Sequence, residues 1–209
     1  MNSMKTLIGG VVMAVGTIGA TVSPGAITGV AGQTTWLGAP PLACGPGQLF
    51  GPNAFAWDEK QNQVVANVMC DLVNNPGNSG APVFGLVSGT VDSHFIHFEQ
   101  NTAATLVNGQ VTFAGKIRGV MFRQNTLDIT DIPLGSPATI YPTGYGWRGL
   151  NASSFFSINN NVLTFHFDGP IPTLDILQLR VLTEHVVPAP GAMAMLGMGG
   201  LIAARRRRS

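Results

Sequence analysis

Val162-Leu163-Thr164-Phe165-His166-Phe167 decides the fold class. Successive side chains of a strand point to opposite faces, so Leu163, Phe165 and Phe167 share one face while Thr164 and His166 share the other. The same alternation predicts a strand over 111–118, with Val111, Phe113 and Ile117 inward and Thr112, Lys116 and Arg118 outward. Near Gly119 the phase slips and Val120 and Phe122 become the apolar set, as a β-bulge at Gly119 would produce. Leu177, Leu179 and Val181 alternate with Gln178 and Arg180 in a last long strand, and further strands are expected over 63–73, 83–89, 91–99 and 125–132. Asn108-Gly109, between Leu106-Val107 and Val111, is a type I′ hairpin signal. No interior segment keeps a helical apolar period through three turns. Strands separated by turn residues, without strand–helix alternation, predict an all-β fold: an antiparallel β-sandwich, with the jelly roll as one form of it.

The chain has 209 residues, 11 Lys+Arg against 10 Asp+Glu, and only 10% charged residues, where soluble globular chains average roughly 25%. Four of the cations are Arg205 to Arg208. Between Ala20 and Val187, Lys60, Lys116, Arg118, Arg123, Arg148 and Arg180 face all ten acids, six against ten, so the body is near −4. A mildly acidic body with scattered cations is a poor match for a phosphate backbone, and no nucleic-acid partner is expected.

The two ends read as addresses. Lys5 precedes a charge-free run containing Leu7, Ile8, Val11, Val12, Met13, Val15 and Ile18, the layout of a secretory signal peptide. Residues 1–20 are read as this signal, with cleavage after Ala20 preferred and cleavage after Ala31 as the alternative. Gly9, Gly10, Gly16 and Gly19 weaken the competing reading as a buried core helix. Residues 21–62 then form a Gly/Pro-rich segment leading into a β domain over 63–186, and 187–209 complete the chain. A helix from Pro190 to Ala204 would be 15 residues and about 22 Å long, short of the roughly 30 Å hydrocarbon core. Snorkelling arginines and local bilayer thinning can cover the difference. The arginines would stay cytoplasmic, which places the body outside the inner membrane.

Val187-Pro188-Ala189-Pro190, a Gly/Leu/Met/Ala-rich helix and the cluster Arg205, Arg206, Arg207 and Arg208, on a chain with a signal peptide, resemble the PEP-CTERM sorting domain of Gram-negative bacteria. The acid usual between the two prolines is Ala189 here. The resemblance implies processing by an exosortase, a membrane-embedded cysteine transpeptidase that removes the tail from an inner-membrane precursor. It also implies passage to the cell surface, the outer membrane or the exopolysaccharide matrix. The body from Val91 to Glu184 resembles a recurrent body type attached to such tails, a likeness that implies no particular activity.

Cys44 and Cys70 are the two cysteines. In an exported chain they are expected to form a disulfide closing about 27 residues, worth roughly 3 to 4 kcal/mol in the chain-entropy model. Gly77-Asn78-Ser79-Gly80-Ala81-Pro82 is similar to the nucleophile motif of trypsin-like proteases. That family places its His before the Ser, whereas the first His here is His94, and a surface loop explains the same composition. His94 and His97 would share a metal on a helix, but on a strand they face opposite ways, so packing or cross-strand hydrogen bonds are expected of each. Asp128 and Asp131, with Asp168 and Asp175, are hard oxygen donors of the kind that bind Ca²⁺, although Asx-turn capping accounts for them more simply. Tyr145, Trp147 and Arg148 lie in a loop that could stack a sugar on its aromatic faces, with Arg148 hydrogen-bonding it. The preferred reading is a non-enzymatic exported surface or matrix protein without a cofactor. The alternative is a secreted carbohydrate-binding β-sandwich module, Ca²⁺-dependent in one version.

Overall fold

The computed structural model describes residues 26–100, 105–169 and 175–187. The expected signal peptide, and the sorting tail from Pro188 onward with its arginines, lie outside the described residues. Among the described residues no helix is long and apolar enough to cross a membrane.

In chain order the elements are β1 (Ile27–Gly32), β2 (Thr34–Trp36), β3 (Ala54–Asp58), β4 (Gln63–Cys70), β5 (Gly77–Asn78), β6 (Gly85–Phe98), β7 (Thr105–Phe113), β8 (Ile117–Met121), α1 (Gln124–Leu134), β9 (Phe155–Asn159), β10 (Val162–Gly169) and β11 (Leu177–Glu184). One sheet has the order β1-β7-β10-β9-β5, the other β2-β3-β6-β11-β8, with β4 also paired to β6. The pairing of β2 with β3 is parallel and the other strand pairs are antiparallel. The fold is all-β with one short helix.

The deciding stretch forms β10 as expected. Leu163, Phe165 and Phe167 are buried in one apolar cluster with Val107, Val111 and Phe113 of β7, and with Ile96, Phe98, Leu177, Leu179 and Val181 of the other sheet. The Phe165 and Phe167 rings lie 4.4 Å apart, and Phe98 reaches Phe167 across the sheets at 6.3 Å. Each such side chain contributes roughly 1.5–3 kcal/mol by leaving water. A second cluster occupies the opposite face of β6 and β11, where Trp57, Phe95 and Leu182 meet Leu127 and Leu134 of α1 and Cys44 of a loop. β11 and the second half of β6, Val91 to Phe98, are therefore covered on both faces, and in β11 only Glu184 is exposed.

The expected strand over 111–118 is two strands in different sheets. Residues 114–116 form a corner between β7 and β8, and Gly115 sits there because a Cβ would lie 1.9 Å from the Glu184 carbonyl oxygen. The phase slip is present where expected, since Gly119 pairs with Leu182 while Ile117 pairs with Thr183. Asn108-Gly109 makes no hairpin and lies within β7, paired with both β1 and β10. A Cβ on Gly109 would meet Thr34 Oγ1 at 2.2 Å and Phe165 Cζ at 2.3 Å, so this glycine serves close packing rather than a turn. Residues 83–89 and 91–99 join as the single strand β6, and three strands fall within 21–62, the segment expected only to lead into the β domain.

The expected strand over 125–132 is helix α1. Its N-terminus is held by a carboxylate from elsewhere in the chain: Asp71 Oδ2 accepts from the Phe122 and Arg123 amides at 2.8 and 2.9 Å and from the Thr126 hydroxyl at 2.6 Å. A buried anion at that end satisfies unpaired amides and complements the helix dipole.

Gly115→Ala is expected to cost about 1–3 kcal/mol through overpacking against the β11 backbone, read as a fall in thermal midpoint by circular dichroism. Gly38→Ala, where added carbon meets nothing within 4 Å, is expected to change stability by less than about 0.5 kcal/mol. Equal midpoints for the two variants would contradict the tight corner.

Candidate functional site

On the α1 side of β11, Gln178 and Arg180 are fully buried. Arg180 Nε and Nη2 donate to Glu59 Oε2 and Oε1 at 2.7 and 2.9 Å, Nη2 also reaches Asp131 Oδ1 at 3.1 Å, and Nη1 donates to Thr130 Oγ1 at 2.8 Å and the Leu127 carbonyl at 3.2 Å. Its guanidinium lies 5.0 Å from the Phe95 ring centre and 5.2 Å from that of Tyr141. Burial opposes its charge, but the charge and hydrogen bonds of Glu59, aided by Asp131, override this and hold the proton more tightly than usual. Glu59 also accepts from Ser93 Oγ at 2.7 Å and from the Tyr141 hydroxyl. Burial and the neighbouring Glu59 push the Tyr141 phenol well above its ordinary range.

Arg148 enters the same network from a loop. Nη1 donates to Asp128 Oδ1 at 2.7 Å and Asp131 Oδ2 at 2.6 Å, Nη2 to Asp131 Oδ1 at 2.8 Å, and Nε to Gln178 Oε1 at 2.6 Å. Burial alone would raise the Asp131 carboxyl, but hydrogen bonds and charge from Arg148, with Arg180 and Thr143, hold it below the usual carboxylate range. Asp128 and Asp131 are thus partners of arginine on a helix rather than calcium ligands in a turn. Among the described residues no group of three or more His, Cys, Asp or Glu could hold a metal.

This spending of Arg148 corrects its expected role, since its donors point into the protein. The residue before it points the other way: Trp147 is 65% exposed. Backbone bonds fix the turn, with Ile176 N–H donating to the Trp147 carbonyl at 3.0 Å and Gly149 N–H to the Ile176 carbonyl at 3.1 Å. Trp147, Gly149, Leu150, Asn151, Asp175 and Leu177 line a cleft of about 250 Å³ over the buried Arg148. Asp175 Oδ1 is buried there without a hydrogen-bond partner among the described residues. Tyr145 lies close by, and burial followed by the charges of Asp175 and Glu99 raises its phenol.

The remaining sequence candidates are absorbed by structure. Ser79 Oγ accepts from the Phe156 amide at 3.0 Å. The four histidines bond elsewhere: His94 to Asp58 and Thr183, His97 to Leu49 and Gln178, His166 to Asn108, and His185 to Asp92. His94 and His97 therefore behave as expected of strand histidines. Asp168 offers its backbone, its amide donating to Ser154 Oγ and its carbonyl accepting from Asn151. The expected Cys44–Cys70 disulfide is absent, and both thiols are free and buried. Cys44 Sγ faces the Ile140 carbonyl at 3.9 Å, whereas Cys70 Sγ packs against the bare backbone of Gly119, so the two are committed to different neighbours. Burial pushes each thiol up to about 12.

Sequence reasoning missed Glu59, Asp71, Gln178 and Arg180 as a buried polar set. The signal available was polar residues at alternate positions of the strongest strand, which usually mark a wet face. Compared with known proteins, the chain matches no family model, no curated protein and no solved structure.

Titration with an aromatic disulfide reagent is expected to find no reactive thiol in the native protein and two after denaturation, because the thiolate is the reactive form. One disulfide and no thiol under both conditions would contradict the free pair. His97 is held neutral chiefly by burial, with the Leu49 hydrogen bond opposing and Arg148 assisting, and its value falls from 6.5 to about 4. Between these values the unfolded chain binds the extra proton, so stability is full above 6.5 and lost as pH falls towards 4, by about 2 kcal/mol at pH 5. Urea denaturation at pH 7 and pH 5 should show a smaller loss in His97→Gln than in the parent.

Proposed function

We propose that this protein is an exported surface or matrix protein, sorted by an exosortase, whose β body binds glycan in the Trp147 cleft. The observation that carries the glycan reading is Trp147, an indole 65% exposed at a cleft rather than buried in either core. Sugar rings present apolar C–H faces that stack on such a ring, while Asn151 and Asp175 supply polar groups beside it. The body is read as a β-sandwich, of jelly-roll kind in its finer form, and one apolar cluster shared by the two sheets supports this. The reading is non-enzymatic, and the engagement of Ser79 with Phe156 fits it.

The sorting part rests on the tail sequence, and two features agree with it. The chain leaves β11 with Val187 72% exposed, accessible to a processing enzyme. At the other end, cleavage after Ala31 would remove most of β1 and its pairing with β7, so cleavage after Ala20 preserves the fold.

The test has two arms. Protein recovered from its host is expected to have a mass lacking residues 1–20 and the terminal arginines, and to fractionate with the surface or matrix. A species retaining Arg205 to Arg208 in the inner membrane would reject the sorting reading. In the second arm, members of a broad polysaccharide panel are expected to shift tryptophan fluorescence, with Trp147→Ala weakening binding about thirtyfold or more, as for a central aromatic anchor. Silence across the panel would reject glycan binding.

A further inference from the structure

The cleft at Trp147 also carries information about which sugar it takes, an inference that rests on the glycan reading above. The residues lining it include one cation and one acid, Arg148 and Asp175. The Arg148 guanidinium is occupied by Asp128, Asp131 and Gln178 on the inner side and is 5% exposed as a residue. Four of its five N–H donors are spent inside the protein and its side chain is fully buried, so it is poorly placed to receive a uronate or other anionic sugar. Asp175 is in the opposite condition: the residue is only part-buried in the lining, and its Oδ1 has no hydrogen-bond partner among the described residues. A carboxylate short of internal donors gains from an N–H that reaches it in the cleft. Burial, followed by the charges of Asp175 and Glu99, raises the Tyr145 phenol beside the cleft.

We propose that the Trp147 cleft recognises an amino sugar, one hexosamine ring stacking on the indole with its ammonium group at the Asp175 carboxylate. The size fits a single ring rather than a long chain, because about 250 Å³ lies below the roughly 300–1,000 Å³ of drug-sized sites. The ammonium also lies next to an aromatic face, where cations are attracted to the ring quadrupole. The partner chemistry is that of a partly or fully deacetylated N-acetylhexosamine polymer.

The experiment titrates the full-length chain with three probes at a pH that protonates the amine: glucosamine oligomers, their N-acetylated counterparts, and galacturonate oligomers, read by tryptophan fluorescence. The glucosamine oligomers should bind tightest, more weakly as salt rises. Asp175→Asn should lose about tenfold or more for them, the scale of a charge-assisted hydrogen bond, and lose less for the acetylated oligomers. Trp147→Ala should lose both. Unchanged thermal midpoints in the variants separate lost recognition from lost folding. Equal or tighter binding of acetylated or galacturonate oligomers, or an unaffected Asp175→Asn, would overturn the amino-sugar assignment while the glycan reading stands. No binding to these probes or to the broader panel would overturn both.

Discussion

Two arginines with no access to water have to be neutralised inside this protein, and much of the architecture follows from how that is done. Arg180 projects from the middle of β11, and Arg148 arrives from a loop beyond α1. Glu59 answers from the β3–β4 connection and Asp128 and Asp131 from one side of α1, and Gln178 bridges Arg148 to His97 and the Cys44 carbonyl. A buried ion pair of this sort is weak evidence for net stability, because desolvation consumes most of its attraction. Removing one member is a different matter, since the remaining charge would be stranded. The network therefore acts mainly as a constraint on geometry. It demands that the β3–β4 connection, α1 and the loop around Tyr141 sit where their polar groups meet the guanidinium groups.

That demand explains why α1 escapes a reading of hydrophobic period. Its buried positions are Thr126, Leu127, Thr130, Asp131 and Leu134, a helical stripe in which three of the five residues are polar. Thr130 and Asp131 are inward because Arg180 and Arg148 need them, and Thr126 because Asp71 does. The same residues read as alternation suggest a strand. Where burial is apolar the reading succeeds, as in β10 and the inward face of β11. It fails where inward residues are charged, and where a glycine marks close packing rather than a turn, as at Gly109 and Gly115. The corner at 114–116 was hidden for a further reason. Val111, Phe113 and Ile117 all face apolar surroundings, so changing sheet leaves the alternation intact.

The aromatic loop was legible as a place but not as a mechanism. Its sequence marks Tyr145, Trp147 and Arg148 as neighbours, yet adjacent residues on a chain turn their side chains apart. Arg148 is drawn inward by two carboxylates, and this leaves Trp147 outward on a backbone pinned to Ile176. Display of the indole is thus a by-product of charge neutralisation in the core. The loop is held from beneath by Asp128 and Asp131 as well as by its own Tyr145–Pro142 bond, which gives an exposed aromatic side chain a fixed platform.

The end of β11 has a mechanical meaning. This strand is hydrogen-bonded to β6 on one side and β8 on the other, antiparallel to both, and the chain continues from it past His185, whose ring lies 2.9 Å from the buried Asp92 carboxylate. Tension applied beyond His185 would run along the strand axis, perpendicular to its ladder bonds. Those bonds would share the load in shear instead of opening one after another as in peeling. A tether fixed at this end would pull on one of the best-braced strands in the molecule, whereas a tether at Ile27 would pull on an edge strand with a single partner.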